Sequence, residues 1–538
     1  MLQRAETYAS LISGFRWQIP ERFNIGVATT DAWAARDPER IAILNRLATG
    51  EVEQVTYGQL AGQSSRLASE LAASGISAGD RIAILLPQCP QTPIAHAAVY
   101  KLGAIAVPLA LLFGPDALGY RLENSGAKCV ITCAQGLERL QEIESLPSRL
   151  ELIVSIDGAS GRAVAFDDLV AKGSEDFTPA DTGPDDPALM IYTSGTTGPA
   201  KGALHGHRVL LGHIPGVQMP HEFLPQEGDI LWTPADWAWA GGLLNILLPG
   251  LLLGVPIVAA RWEKFDPEAA FALMEQMRIR NAFIPPTALK MMRAVENPSS
   301  RYRLDLRTVG SGGESLGRET YDWARAELGL TINEFYGQTE CNLVLSSCAD
   351  IGISRAGAIG KAVPGHEVAI IDGAGNVLPA GQTGQIAVRR PDPVMFLEYW
   401  DNPDATQAKF IGDWMLTGDQ GMTDDDGYVF FVGRDDDVIT SSGYRIGPGE
   451  VEDCLLTHPA VALAAAVGKP DPVRTEIVKA FIVLKAGHEP SDKLAGEIQT
   501  WVRERLAAHE YPREIAFRKT LPLTTTGKVI RRLLREEA

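Results

Sequence analysis

A chain of 538 residues, 45% of them apolar and 22% charged, is long enough for more than one domain and has the composition of a folded globular protein. A net charge of −18 argues against sequence-independent binding to nucleic acid or an anionic membrane, although local basic groups can still gather small anions. Six cysteines without a C-x-x-C pair are too few for a disulfide framework and point to reduced thiols in a cytoplasmic protein.

No basic segment followed by an apolar stretch opens the chain, so no secretory leader is expected. Residues 27–35 predict a helix and 41–44 a strand. Thr56 opens a helix expected to bury Leu60, Leu67, Leu71 and Ala72 on one face. Strands are predicted at 80–86, 105–108, 128–132 and 151–155, with a helix through 94–102. Strands alternating with helices imply parallel sheets covered on both faces. Residues 243–260 carry no charge over 18 positions, the lower limit of a membrane span. Asn245, Pro249, Gly250, Gly254 and Pro256 interrupt them, which favours a buried helix, a turn and a core strand at 255–260, and no membrane span. Beyond 360, short strands at 367–371, 384–389 and 427–432 predict a β-rich subdomain. After a polar break at 433–437 come a helix at 449–456, strands at 461–467 and 478–484, and a helix at 494–508. The expected fold is therefore α/β. A large N-terminal domain of parallel-sheet α/β layers with a β-rich subdomain spans 1–433, 434–437 form the boundary, and a small α+β domain spans 438–538.

Residues 188–191 read as a buried strand that empties into Tyr192-Thr-Ser-Gly-Thr-Thr-Gly-Pro-Ala-Lys-Gly202. Glycines let backbone N–H groups approach an anion, hydroxyls donate to phosphate oxygens, and Lys201 adds positive charge. Composition alone would make this a polar turn, and the Walker A spacing is absent. In Asn333-Glu-Phe-Tyr-Gly-Gln-Thr-Glu340, after the strand-like Thr331-Ile332, a hydroxyl stands beside a carboxylate; this suits a phosphate oxygen and its magnesium, or a helix cap. Trp414-Met-Leu-Thr-Gly-Asp419 ends on an aspartate able to accept from both ribose hydroxyls, or on a turn aspartate. Pro522-Leu-Thr-Thr-Thr-Gly-Lys528 sets a lysine on a glycine turn.

In this order, with Gly310-Ser-Gly-Gly-Glu-Ser315 upstream of the second, these motifs resemble the adenylate-forming (AMP-binding) superfamily and are most like medium-chain acyl-CoA synthetases. The resemblance implies a phosphate loop of Thr193, Ser194, Gly195, Thr196, Thr197, Gly198 and Lys201, and an adenine-edge loop with Gly313, Glu314 and Ser315. Glu334, Phe335, Tyr336, Gly337 and Gln338 would line the nucleotide, with Tyr336 stacked on adenine. Thr339 would contact the α-phosphate, Glu340 hold Mg²⁺, Asp419 bind ribose, and Arg434 and Arg445 reach ribose or phosphate. Lys528 would be the adenylation lysine and Asp436 the hinge. Ser442, Gly443 and Tyr444 would line the pantetheine tunnel, and Arg474 and Arg503 would meet CoA phosphates.

Joining a carboxylate to a thiol needs a leaving group better than hydroxide, which ATP supplies through an acyl-AMP. The resemblance thus implies an ATP-dependent acyl-CoA synthetase using Mg²⁺ and CoA. The alternative is an adenylation enzyme loading a carrier protein or another acceptor; Arg474 and Arg503 favour CoA. Luciferase-like oxygenation of the adenylate has no supporting residue, and the intact Thr339, Glu340, Asp419, Arg434 and Lys528 argue against an inactive relative. Acetyl-CoA synthetases close their acyl pocket with a tryptophan where this chain has Gly337. With Trp239, Ala240 and Gly241 also assigned to the pocket, small residues predict room for short-to-medium-chain acids, branched and aromatic ones included. The setting of Lys528 also resembles the acetylation sites of bacterial CoA synthetases, which implies a lysine acetyltransferase as partner.

Overall fold

Apolar runs without polar alternation cannot leave a face in water, and here they form the middle of two large sheets clothed by helices. The computed structural model describes residues 1–193, 199–262, 264–314, 316–434, 437–441, 444–472, 474–506, 510–523 and 529–538, with the backbone alone considered at 440, 444 and 445.

Among the described residues, one sheet orders Glu398–Tyr399, Lys201–Gly206, Pro187–Thr193, Ile105–Pro108, Arg81–Leu85, Cys129–Thr132, Leu152–Ser155 and Val164–Ala165. Its inner strands are parallel, as the alternating pattern requires. The second orders Lys361–Ala362, Cys341–Ser346, Asn333–Gln338, Thr308–Gly312, Asn281–Phe283, Leu231–Trp232, Ile257–Ala260, Ile41–Arg46 and Val52–Thr56. It too is parallel through its centre. Helix Tyr57–Ala73 starts on a capping box made by Thr56 and Gln59 and buries Leu60, Leu67 and Leu71. Ala72, expected on that face, is exposed, because one residue beyond Leu71 turns about 100° away.

The uncharged segment forms a π-helical turn Leu243–Leu247 and a helix Leu248–Leu253, stops at Gly254 in the left-handed region, and returns as strand Ile257–Ala260. No described helix is long and apolar enough to cross a membrane.

A third sheet is antiparallel: Val368–Ile371, Thr383–Arg389, Trp414–Thr423 and Phe410–Ile411, with Val429–Arg434 beside Trp414–Thr423. Gly433 and Arg434 still belong to this strand, so regular structure continues two residues into the expected break. The last sheet orders Tyr444–Ile446, Ile439–Ser441, Thr475–Leu484 and Val461–Asp471, with Glu514–Arg518 parallel to Thr475–Leu484. Helices Pro448–Leu456, Asp492–Arg505 and Arg531–Glu536 accompany it. Strand Val461–Asp471 outruns its expected end at 467 because its polar end pairs residue by residue with Thr475–Leu484. The architecture is a mixed α/β one, with parallel sheets in a large N-terminal part and a small α+β part at the C-terminus. All six cysteines are buried free thiols.

Candidate active site

The expected phosphate loop is bracketed by an antiparallel pair. Strand Pro187–Thr193 runs up through the first sheet and Lys201–Gly206 returns beside it, with Thr193 opposite Lys201. Thr193 Oγ1 donates to the Lys201 carbonyl at 3.4 Å. Ser194, Gly195, Thr196, Thr197 and Gly198 lie outside the described residues. Lys201 Nζ sits 5.2 Å from the centre of the Tyr399 ring, within cation–π range.

Thr331-Ile332, read as a strand before the second motif, is not one; the strand is the motif itself, Asn333–Gln338. It pairs with Thr308–Gly312 on one side and Cys341–Ser346 on the other, and Thr339 and Glu340 form the hairpin turn. Side chains of a strand alternate, so Phe335 packs 5.3 Å from Phe283 while Tyr336 faces the third sheet. Beside it Gly312 passes so close that a Cβ would meet the Phe335 carbonyl at 2.5 Å. The chain then turns through Gly313 at φ +95, and Thr287 Oγ1 donates to Glu314 at 2.8 Å. Ser315 lies outside the described residues. Glu334 is lifted from 4.5 to about 8, first by burial and in part by Asp453 of helix Pro448–Leu456.

Asp419 is no turn residue. It lies within strand Trp414–Thr423 at a bulge, where Ala387 pairs with Leu416 but Gln385 with Gln420. Three residues, Thr417 to Asp419, thus oppose Ile386 alone, and Gly418 takes φ +79. The bulge aims the buried Asp419 at Tyr336, whose hydroxyl donates to it at 2.5 Å. Arg434, the cross-strand partner of Asp419, brings its guanidinium to 3.8 Å. Burial and the Asp419 charge push the Tyr336 phenol well above its usual range.

Two side chains that the sequence motifs do not contain complete this cluster. Tyr399 donates its hydroxyl to Glu340 Oε1 in a short hydrogen bond. Lys409 Nζ lies 3.9 Å from the same oxygen and donates to Gln338 Oε1 at 2.8 Å and to the Leu416 carbonyl at 3.0 Å. Burial lowers the Lys409 ammonium, while Glu340 and Asp419 hold it up. Gln338 in turn donates to the Thr417 carbonyl at 2.9 Å. Lys201, Tyr399, Glu340, Lys409, Gln338, Tyr336, Asp419 and Arg434 thereby form one continuous patch across three sheets. No spacing rule marks Tyr399 or Lys409, because each arrives from a separate strand or loop.

The acyl-pocket residues behave differently from expectation. A Cβ on Gly337 would run into the Leu343 amide and come within 2.6 Å of Asn342 Cα. At Gly241 it would lie 2.8 Å from the Phe283 ring. The positions that side chains would take at these two glycines are therefore not free: the returning hairpin strand occupies one and an aromatic ring the other. Trp239 packs edge-on against Phe113 at 5.4 Å, and Ala240 begins the short helix Ala240–Gly242.

The remaining expected residues lie toward the C-terminus. Arg474 sits in the turn between the two long strands, its amide donating to Asp471 at 2.8 Å. Arg503 is on helix Asp492–Arg505 beside Tyr511. Tyr444 and Arg445 belong to strand Tyr444–Ile446, and their side chains are not described. Asp436, Ser442, Gly443 and Lys528 lie outside the described residues. Just after Lys528, Arg531 pairs with Glu452 at 2.6 Å and Asp437 at 3.6 Å and feels the charge of Glu314. The C-terminal segment thus lies near the loop that carries Glu314.

Residues 30–400 match the family described as AMP-binding enzyme, and 450–528 match the AMP-binding enzyme C-terminal domain. The chain is 38% identical over 495 residues to the acetyl-coenzyme A synthetase of Bacillus subtilis (strain 168), covering 90% of this chain and 85% of that one. It is 34% identical over 536 residues to the human acyl-coenzyme A synthetase ACSM4, mitochondrial, covering 96% and 91%. The crystal structure of the anthranilate CoA ligase AuaEII in complex with anthranoyl-AMP superposes with a TM-score of 0.88 at 27% identity, covering 96% and 98%. The chain belongs to the AMP-binding enzyme family, within its acyl-CoA synthetases, and is an AMP-forming acid–thiol ligase that depends on ATP.

Proposed function

We propose that this enzyme converts a short-to-medium-chain carboxylic acid, branched and aromatic acids included, to its CoA thioester through an acyl-AMP. The observation that carries the reading is the continuous patch from Lys201 through Glu340 to Asp419, which gathers cationic, carboxylate and aromatic groups of the kinds that bind a nucleoside triphosphate. In the first step a carboxylate oxygen attacks the α-phosphorus and the bond to the β-phosphate oxygen breaks, releasing pyrophosphate. In the second the CoA thiol, losing its proton, attacks the acyl carbon and AMP leaves. Lys201 and the loop it closes would neutralise phosphate charge, Asp419 and Arg434 would hold ribose, Tyr336 would stack on adenine, and Thr339 would contact the α-phosphate. Lys528 would steady the carboxylate and α-phosphate, and its acetylation by a lysine acetyltransferase would remove that charge. Ser442, Gly443, Tyr444, Arg474 and Arg503 would receive CoA.

Mg²⁺ fits Glu340. Its Oε1 is engaged by Tyr399, and Oε2, a hard oxygen donor, has no partner among the described residues. Among them no cluster of three or more ligating side chains forms, which suits an ion held by one carboxylate with substrate phosphates and water. Such an ion would offset phosphate charge.

Residues 434–437 would hinge a large domain, 1–433, against a small one, 438–538, with Asp436 as pivot. Asp437 supports this placement, because Arg531 and Arg535 tie it to the last helix at 3.6 and 3.2 Å. It would move with the small domain, leaving the pivot just before it. A cytoplasmic location belongs to the same reading, supported by six free buried thiols. The test is pyrophosphate release with acids from acetate to decanoate, branched and aromatic members included, each with and without CoA. CoA-dependent turnover is expected. Release that needs acid but ignores CoA would point to carrier loading instead.

A further inference from the structure

Between the two pocket glycines sits a polar pair that adenylate chemistry does not use. Asn342 Nδ2 donates to Asn245 Oδ1 at 2.6 Å, and the two residues are 7% and 3% exposed. A primary amide carries a carbonyl and an N–H₂ group, so this single bond leaves Asn245 Nδ2 and Asn342 Oδ1 without a hydrogen-bond partner among the described residues. Exchanging oxygen and nitrogen in both amides changes nothing: one donor and one acceptor still remain. Neither atom is fully enclosed, so each still touches a small accessible space.

That space lies at the expected acyl pocket. Asn342 Oδ1 is 2.7 Å from where a Gly337 side chain would begin, and Asn245 Nδ2 is 3.9 Å from the same point on Gly241. Apolar rings stand beside it: Phe283, which a Cβ at Gly241 would touch, lies 5.3 Å from Phe335. A hydrocarbon chain bound here would cut both amides off from water with nothing to replace it, which is costly. The backbone is unusual at Asn245 and just after Asn342. Asn245 is in the π-helical turn Leu243–Leu247, a geometry frequent at functional sites, and Asn342 precedes Leu343, whose φ of +55 is in the left-handed region.

We propose that Asn245 and Asn342 recognise a hydroxyl on the carboxylic acid, which accepts from Asn245 Nδ2 and donates to Asn342 Oδ1. The preferred acids are then hydroxy acids rather than plain hydrocarbon acids. Both residues select the acid and do not touch the reacting atoms. The inference rests on the acyl-CoA synthetase reading above and deepens it.

The experiment compares matched pairs: ω-hydroxy acids from butanoate to octanoate, and the hydroxybenzoates, each against its parent acid. CoA-dependent pyrophosphate release gives kcat/KM for each member. In the wild type the hydroxylated member of at least one pair is expected to win by about tenfold or more. Replacing both asparagines, Asn245→Leu with Asn342→Leu, should bring that ratio to unity or invert it. Thermal melting and AMP-binding calorimetry check that the variant is folded, and the wild-type ratio decides even if it is not. Parent acids used as well as their hydroxylated partners in every pair would overturn the inference and show that solvent meets the two amides. A ratio unmoved in the folded double variant would also overturn it. Turnover with no acid at all would sink both readings, whereas turnover with parent acids alone would sink only this one.

Discussion

Glu340 is held by a phenol that the sequence motif does not contain. A hydrogen bond to a charged group contributes about 1.5–3 kcal/mol, so Tyr399→Phe should lower kcat/KM for pyrophosphate release on the order of tenfold or more. The loss should shrink as Mg²⁺ is raised; a variant as active as the wild type at every Mg²⁺ concentration would remove Tyr399 from the site. Gly337 calls for the opposite kind of experiment. Its Cβ position is taken by the Leu343 amide and Asn342 Cα, so even Gly337→Ala forces a strand apart and should cost about 1–3 kcal/mol by overpacking. A thermal melt unchanged from wild type would mean the hairpin leaves room after all. These two positions also mark what a sequence can disclose at this scale. The motifs announce residue types suited to phosphate, ribose and metal, yet they cannot say what fills the space beside a glycine or which distant phenol reaches a carboxylate.

Elements were more legible than contacts, for a physical reason: apolar periodicity records which face is buried, and burial dominates the placement of strands and helices. The uncharged stretch before Ala260 folds as a helix, turn and strand because Gly254 permits the left-handed stop there. The bulge that aims Asp419 left no such record, since its register shift depends on Ile386 in the neighbouring strand. Helix Pro448–Leu456 shows another effect hidden from periodicity. Asp453 is lifted from 3.8 to about 6, mainly by burial, with Glu452, Glu319 and Glu450 adding repulsion against Lys290. A carboxyl whose folded value lies above its unfolded one binds more protons when folded, so its effect on stability worsens as pH rises from about 4 to about 6. Asp453→Asn should therefore stabilise the protein at neutral pH, and the gain should fade below about pH 4. Melting curves across that window check it; a gain independent of pH would show that charge is not the cause.

Over the whole molecule, the proposed division of labour makes each half-reaction depend on a different pose of the small domain. Asp436→Pro should fix the hinge dihedral and affect adenylate formation and thioester formation unequally; equal losses would remove Asp436 as the pivot. Lys528→Ala should cripple adenylation yet spare thioester formation from supplied acyl-AMP, and intact adenylation would refute its role. Such a rotation needs stiffness on both sides of the pivot, and Asp437 would supply it on one. Clamped by Arg531 and Arg535, it binds the first residues after the pivot to the final helix, some hundred positions away in sequence. In the proposed hinge the last turn of the chain would thus work as a splint. A twist confined to one or two peptide bonds would then be passed on undamped, like a door whose leaf does not bend, and losing the splint would blur the swing.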